Sequence, residues 1–260
     1  HGTFSGTPPQ VTYTPASGYH GVDQFTFTVT DGVCVSAPAT VQVAVRPGNQ
    51  GPSCHIVTGP LLKLTPEETE NLVLSCDNST AEVVLDATLS TDPENGPLTY
   101  VWLVDGTPVG TAAIQTVTLE VGTHEVTLVV EDGSSASGDC ASGSRTSTCR
   151  TLVTVVDGSE AVAELRLMVE SSHINGALVK TLSKHLQQAS GKFARGKCAA
   201  GVEQLEDFQD KVRHYADGYR TSGGNKAAAK QGIAPETAEP LIEAAQAIID
   251  AYAPCDCMNP

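Results

Sequence analysis

Residues 83–102 read VVLDATLSTDPENGPLTYVW, and this stretch decides the fold of the central part of the chain. Two segments rich in β-branched and aromatic residues flank a turn of Asp, Pro, Asn and Gly, which predicts two β-strands joined by a polar loop. Tyr100, Trp102 and Val104 alternate along the second strand. These three side chains therefore lie on one face of the strand.

A second strand-like string, VGTHEVTLVVEDG, follows at residues 121–133. Together with the first stretch it resembles the PKD domain, in which strings of the form LDxxxSxDPxxGPLTYxW and VGxHxVTLxVxDG recur. The resemblance implies an Ig-like β-sandwich over residues 53–157. It also implies that Trp102, the single tryptophan, lies in the core of that sandwich, with Tyr100 and Val104 alternating inward beside it. The chain departs from the family pattern after Trp102, where Leu103 to Gly106 replace the usual WDFGDG; this shortens the turn and keeps the sandwich.

The segment 1–46 has the two-residue period of β-strands, and Asp31-Gly32 is a hairpin signal. We expect one apolar stripe, formed by Phe25, Phe27, Val29, Tyr13 and Val43. The strings HGT, VTYTP, GVDQFTFTVTDG and ATVQVAV resemble the C-terminal half of a bacterial cadherin-like or Ig-like tandem repeat.

The resemblance implies that part of this first module is missing from 1–46. Ig-like sandwiches have about 100 residues, so 1–46 alone would leave the apolar stripe uncovered and strand edges unpaired. We expect strands from outside the segment to cover the stripe. These strands could belong to the same polypeptide or to a neighbouring chain. The first alternative is favoured, because repeats of this kind usually occur in long arrays.

Residues 47–52 have the composition of a linker, and from about residue 160 the apolar period changes from 2 to 3.6. We predict four helices, with a core containing Leu165, Leu178, Leu182, Leu205, Phe208, Leu241 and Ile248. The segment 160–252 is similar to the FIMAH domain, within a C-terminal domain that spans 158–260 with its cysteine-containing tail. The expected fold class is therefore multi-domain and mainly β, with Ig-like sandwich modules followed by an all-α four-helix domain.

Composition points to an exported protein. The chain has eight cysteines, none in a CxxC motif, and its 30 acidic residues exceed its 15 Lys and Arg, giving a net charge of −15. An even, scattered set of cysteines favours disulfides formed in an oxidising compartment, the alternative being free thiols in a cytosolic protein. The acidic surface disfavours nucleic acid as a partner, and no segment is apolar enough to insert in a membrane. Asn78-Ser79-Thr80 is a glycosylation sequon.

Two disulfides are predicted from the order of elements. Cys198 precedes the third predicted helix, and Cys255 and Cys257 follow the fourth. Because these ends are neighbours in an antiparallel helix pair, we expect Cys198 to bond Cys255 or Cys257. The second predicted pair is Cys140 with Cys149, which flank a short loop.

Oxygen-bearing side chains gather around the turn in the first stretch. The candidate calcium ligands are Asp86, Asp92, Glu94, Asn95 and Asp132. Calcium takes six to eight oxygen ligands, carboxylates and carbonyls among them. The alternative is that these Asp and Asn residues favour turns by hydrogen-bonding to their own backbone. Calcium is the only cofactor that the sequence indicates.

The sequence has no nucleophile elbow, zincin helix, phosphate-binding loop or dinucleotide fingerprint. We therefore expect no enzyme, but a structural, adhesion or assembly module of a secreted or cell-surface protein. Its expected partners are protein or carbohydrate at a cell surface, or copies of itself. Two alternatives remain: the accessory C-terminal region of a large secreted hydrolase, and a subunit of an extracellular filament assembled by β-strand complementation between chains.

Overall fold

The computed structural model describes residues 1–46, 50–65, 70–133, 145–221 and 232–255. Over these residues, twelve β-strands precede four α-helices. The expected fold class, β-modules followed by a four-helix domain, is confirmed.

The first 46 residues form two antiparallel hairpins, β1 with β2 and β3 with β4. The strands are β1 (Gly2–Thr7), β2 (Gln10–Pro15), β3 (Gly21–Phe27) and β4 (Ala39–Val45). The predicted strand through Thr30 ends earlier, at Phe27, because the connection to β4 turns back on itself. Thr30 and Val35 form an isolated bridge there, and the Asp31 carboxylate accepts two backbone hydrogen bonds within the turn.

The central module is a β-sandwich of two sheets. Its strands are β5 (Val57–Gly59), β6 (Asn71–Leu74), β7 (Thr80–Asp86), β8 (Leu98–Val104), β9 (Thr107–Gly110), β10 (Ile114–Glu120), β11 (Gly122–Asp132) and β12 (Thr146–Val156). One sheet has the order β10-β7-β5 and the other the order β6-β12-β11-β8-β9. The pairing is antiparallel except between β12 and β6, which run parallel.

Trp102 lies at the centre of the sandwich core, as expected. It is fully buried together with Leu85 of the smaller sheet and Leu128 of the larger one. Its indole N–H donates a hydrogen bond of 2.9 Å to the carbonyl of Ala112, so the one polar atom of the ring is satisfied inside the core.

The C-terminal domain consists of α1 (Gly158–Ser171), α2 (Gly176–Phe193), α3 (Cys198–Thr221) and α4 (Pro235–Tyr252). Local sequence sets the helix starts: Asp157 and Glu160 form a capping box at α1, Asn175 caps α2, and Pro235 occupies the first turn of α4. All seven predicted core residues are buried, which confirms the predicted helical stripes.

The sandwich and the helices share an apolar core. Leu72 and Leu74 of β6 pack with the helices, whereas Val73 between them packs inside the sandwich. Successive residues of a strand point to opposite faces, so β6 contributes one side chain to the sandwich core and its neighbours to the core of the helices. Leu62 and Leu64 join the helical cluster from the preceding loop.

Two disulfides rule out two of the predicted pairs, Cys140–Cys149 and Cys198–Cys255. Cys149 bonds Cys54, not Cys140, because Cys149 lies within β12 and its side chain packs against the sandwich core beside Cys54. Cys255 bonds Cys76, not Cys198, because the end of α4 lies against the β6 edge of the sandwich. Cys198 is disulfide-bonded. Cys140 and Cys257 lie outside the described residues. Cys257 is the other predicted partner of Cys198, so that pairing stays a prediction.

Candidate functional site

The candidate calcium ligands lie around the connection between β7 and β8. Asp92 is 8% exposed, and its Oδ2 accepts a hydrogen bond from the N–H of Gly96. Asn95 has a left-handed backbone (φ 59°), and its N–H donates to the Asp92 carbonyl at 3.0 Å. Asp92 therefore organises this turn through its own backbone and side chain, as the turn interpretation of the sequence requires.

Asp132, at the end of β11, meets Asp92 at Gly96. Asp132 is 4% exposed. A Cβ atom added to Gly96 would lie 2.9 Å from Asp92 Oδ2 and 3.4 Å from Asp132 Oδ1, so both carboxylates border the glycine. Asp92 Oδ1 is buried, and no described group hydrogen-bonds to it. A buried carboxylate oxygen without a donor is costly, and its chemistry fits an oxygen-seeking cation.

Two of the other candidates, Asp86 and Glu94, do not join this pair. Asp86 lies in the opposite sheet, where hydrogen bonds from the side chain and backbone of Thr88 lower the pKa of its carboxyl. Both carboxylate oxygens of Glu94 accept hydrogen bonds from Gln50, at 3.2 and 3.1 Å. Over the described part of the chain, no group of three or more His, Cys, Asp or Glu side chains could hold a metal ion.

The sequon asparagine is engaged in the junction between the domains. Asn78 Nδ2, the atom to which a glycan would be attached, donates a hydrogen bond of 2.7 Å to the carbonyl of Phe193 at the end of α2. Asn78 is half-buried, with a left-handed backbone (φ 61°). In this folded form Asn78 therefore links the sandwich to the helices and does not present its amide for modification.

The two N-terminal hairpins border an apolar groove. Its volume is about 770 Å³, and its apolar lining comprises Phe4, Pro8, Pro9, Val11, Phe25, Phe27, Val29 and Val41. Phe27 is 48% and Val29 61% exposed. Tyr13 and Val43, which we expected in the stripe, are half-buried and do not line the groove. Phe25 is also half-buried and packs edge-on against Phe4. Over the described residues, the exposed part of the predicted stripe is therefore Phe27 and Val29, and a cover from outside the segment stays a prediction.

The described helices include none long and apolar enough to cross a membrane.

Two parts of the chain match family models: residues 1–44 match a bacterial Ig domain, and residues 159–250 match the FIMAH domain. No curated protein matches the chain significantly. Among solved structures, the chain is similar to the fibronectin(III)-like modules of Clostridium thermocellum CbhA, with 16% identity and a TM-score of 0.27 over 58% of this chain and 70% of that one. The family matches confirm the Ig-like and FIMAH parts of the sequence interpretation. The cadherin-like and PKD-like assignments stay predictions.

Proposed function

We propose that this chain is a non-catalytic structural and adhesion region of an extracellular protein, in which the central sandwich and the helical domain act as one rigid unit. One observation carries the proposal: the two share an apolar core and are joined by the Cys76–Cys255 disulfide. Contacts between domains are usually polar and allow relative motion. A junction of buried leucines closed by a covalent bond restricts such motion.

The position of this disulfide suits a protein under tension. Cys76 and Cys255 are 179 residues apart in sequence, and the loop between them contains nearly all of the sandwich and the four helices. A force that pulls on the two ends of the chain is carried by the Cys76–Cys255 bond. The folded residues between these two cysteines therefore do not bear the load. Disulfides persist in oxidising compartments, and this agrees with the outside of a cell as the place of action.

The proposal is tested by pulling single molecules held at residues 1 and 260, comparing wild type with the Cys76→Ser/Cys255→Ser double variant. In the variant, the load passes from Cys149 into the helical domain, which the Cys76–Cys255 bond bypasses in the wild type. The extension on full unfolding should therefore be longer than that of the wild type. Cys34→Ser is the matched control, because Cys34 is an exposed free thiol, and it should behave as wild type. Equal extension of wild type and double variant would contradict the proposal.

We also propose that Asp92 and Asp132 hold a calcium ion. What supports this is the convergence of two buried carboxylates at Gly96 and the unsatisfied Oδ1 of Asp92. Backbone carbonyls of the turn and water would have to complete the six to eight oxygen ligands. The ion would tie the loop before β8 to the end of β11.

A second candidate function, the subunit of an extracellular filament, is favoured by the uncovered groove of the first module. The hairpins β1–β2 and β3–β4 are two-stranded sheets with free edges, and two-stranded hairpins are at best marginally stable in water. A β-strand with alternating apolar side chains would pair with an edge and cover Phe27 and Val29. If a neighbouring copy supplies that strand, the chains assemble.

A further inference from the structure

The second helix and the turn after it have a charge opposite to that of the whole chain. Between Glu170 and Glu203 the sequence contains no acidic residue, although the net charge of the chain is −15. Five of the 15 Lys and Arg fall in this interval: Lys180, Lys184, Lys192, Arg195 and Lys197. This local excess of positive charge attracts anions to a protein that otherwise repels them.

Three of these cations lie on one face of α2. Lys180 and Lys184 are exposed on the side opposite the buried stripe of the helix. Arg195 follows the end of α2, and its Nε donates to the carbonyl of Gly191 on that same side. Gln187 and Gln188, also exposed, lie between Lys184 and Gly191. We call Lys180, Lys184, Gln187, Gln188 and Arg195 the basic stripe. From Lys180 to Gly191 its length is about 16 Å at 1.5 Å per residue.

The cations of the basic stripe are not neutralised within the described part of the chain. The Lys and Arg side chains that form ion pairs there are Arg150, Arg166 and Arg213, none of which belongs to the stripe. Arg195 donates from Nε to the carbonyl of Gly191 at 2.6 Å, a bond that orients the guanidinium without removing its charge. The stripe therefore presents charged donors to the solvent.

The composition of the stripe decides between classes of anionic partner. Protein interfaces are centred on apolar or aromatic anchors, and α2 contributes none of the exposed large apolar residues of the described chain. Phosphate polymers such as nucleic acids carry a charge about every 3.4 Å per strand, which is denser than three cations along about 16 Å. Amide and ammonium donors on a straight line suit a linear polymer with hydroxyls and sparse carboxylates.

We propose that the basic stripe binds a linear acidic polysaccharide whose sugars carry carboxylates. The lysine ammonium groups and the Arg195 guanidinium pair with the carboxylates, and the two glutamines hydrogen-bond to sugar hydroxyls. The net charge of −15 repels the polymer elsewhere on the protein, which confines binding to this face. The binding is expected to weaken steeply with salt, because exposed pairs are screened within about 8 Å at physiological ionic strength.

The test measures binding of the full chain to hyaluronate, a linear polysaccharide with a carboxylate on every second sugar, by isothermal titration calorimetry at low and high salt. The stripe variant Lys180→Gln/Lys184→Gln/Arg195→Gln should bind about tenfold more weakly at low salt, since each exposed pair contributes modestly. The control Lys63→Gln/Arg145→Gln/Lys211→Gln removes the same charge from exposed positions elsewhere and should bind within about twofold of wild type. The single variant Lys184→Gln, expected to bind about two- to threefold more weakly, serves if the stripe variant does not fold.

Three results would overturn the inference: no binding of wild type to hyaluronate, equal weakening in stripe and control variants, or binding to polyphosphate or dextran sulfate without binding to hyaluronate. None of these affects the pulling experiment on Cys76–Cys255, so the inference and the proposed function fail separately.

Discussion

Asp105 and Gly106 turn the chain between β8 and β9, and both have left-handed backbones (φ 50° and 77°). Asp-Gly is a pair that tolerates such turns, which explains how the short connection after Trp102 keeps the sandwich intact. The Asp105 carboxylate is used further: it accepts from the N–H of Glu125 at 2.9 Å and lies 2.8 Å from Nδ1 of His124. A turn residue thus becomes the partner of a titrating side chain.

His124 is predicted to stabilise the sandwich only when protonated. Its Nδ1 faces the Asp105 carboxylate and its Nε2 the Glu120 carbonyl at 2.9 Å. Two acceptors are satisfied only by an imidazolium, which has two donors. Burial lowers the pKa of His124, but the hydrogen bonds to Asp105 and Glu120 outweigh it and raise the pKa. The stabilisation is therefore present below about pH 6.5 and is lost as the pH rises through the raised pKa.

Urea unfolding of wild type and His124→Gln at pH 5.5 and pH 8.5 checks this. The destabilisation by the substitution should be larger at pH 5.5 by about 0.5–1 kcal/mol, a modest value because Asp105 is half exposed to solvent. His20→Gln, at an exposed histidine, should have the same effect at both pH values. If His124→Gln lowers the free energy of unfolding equally at pH 5.5 and pH 8.5, stabilisation by a protonated His124 is excluded.

Asp92 is predicted to be required for stabilisation by calcium. With a dissociation constant of about 1 mM, typical of weak extracellular sites, 10 mM calcium should raise the free energy of unfolding of wild type by about 1.4 kcal/mol. Asp92→Asn removes the charge of the unsatisfied carboxylate and should abolish most of this gain. Glu94→Gln, in the same turn but bonded to Gln50, should keep it. Thermal unfolding with and without calcium measures all three proteins, and an unchanged gain in Asp92→Asn would contradict the site.

At the scale of elements, β6 is the strand that joins the two domains. The strand has only four residues, Asn71–Leu74, and is too short to be stable alone. It pairs in parallel with β12. Because side chains alternate, the same strand contributes Val73 to the sandwich and Leu72 and Leu74 to the helical core. The helical domain is thus covered on one side by a sheet.

Leu72→Ala is predicted to destabilise the helices although Leu72 belongs to a strand. Leu72 is 6% exposed within the helical cluster, and removing a buried leucine side chain costs about 2–5 kcal/mol. Circular dichroism at a helical wavelength and Trp102 fluorescence should shift together on unfolding in urea. Val84→Ala, at a 37% exposed position in β7, should cost less than about 1 kcal/mol. A shift in the fluorescence transition alone would show that the helices fold independently.

At the scale of the whole molecule, the chain combines a unit whose apolar core is buried with a module that exposes apolar side chains. The sandwich and helices are joined by a core and a disulfide, whereas the first module leaves apolar side chains in solvent. Burying a Phe or Val side chain is worth about 1.5–3 kcal/mol, so the exposed groove favours any strand that covers it.

If copies of the chain supply that strand, association is predicted to depend on Phe27. The mass measured by light scattering should rise with protein concentration in wild type, and Phe27→Asp should weaken association at least about tenfold, because a charge would enter the covered face. Val22→Asp is the control, since Val22 is 65% exposed on the opposite face of β3. A wild type that stays monomeric at all concentrations would exclude assembly by this groove.

The sequence by itself determined the structural features that depend on residues close to one another along the chain. The two-residue period of apolar residues predicted the strands and the face on which Trp102 lies. The 3.6-residue period predicted the four helices and their core, and turn residues indicated the connections. These patterns are readable because each follows from local backbone geometry. The sequence also identified the apolar stripe of the first module, since an alternating strand needs a cover.

Only the tertiary structure decided which distant residues meet. Cys149 bonds Cys54 and Cys255 bonds Cys76 because strand pairing and domain packing bring them together. A short loop and the order of the helices had suggested other partners. Asp92 and Asp132 converge at Gly96, while Asp86, closer to Asp92 in sequence, lies in the opposite sheet. Local periodicity does not specify which strands become neighbours, because that choice depends on how whole apolar faces are buried against one another.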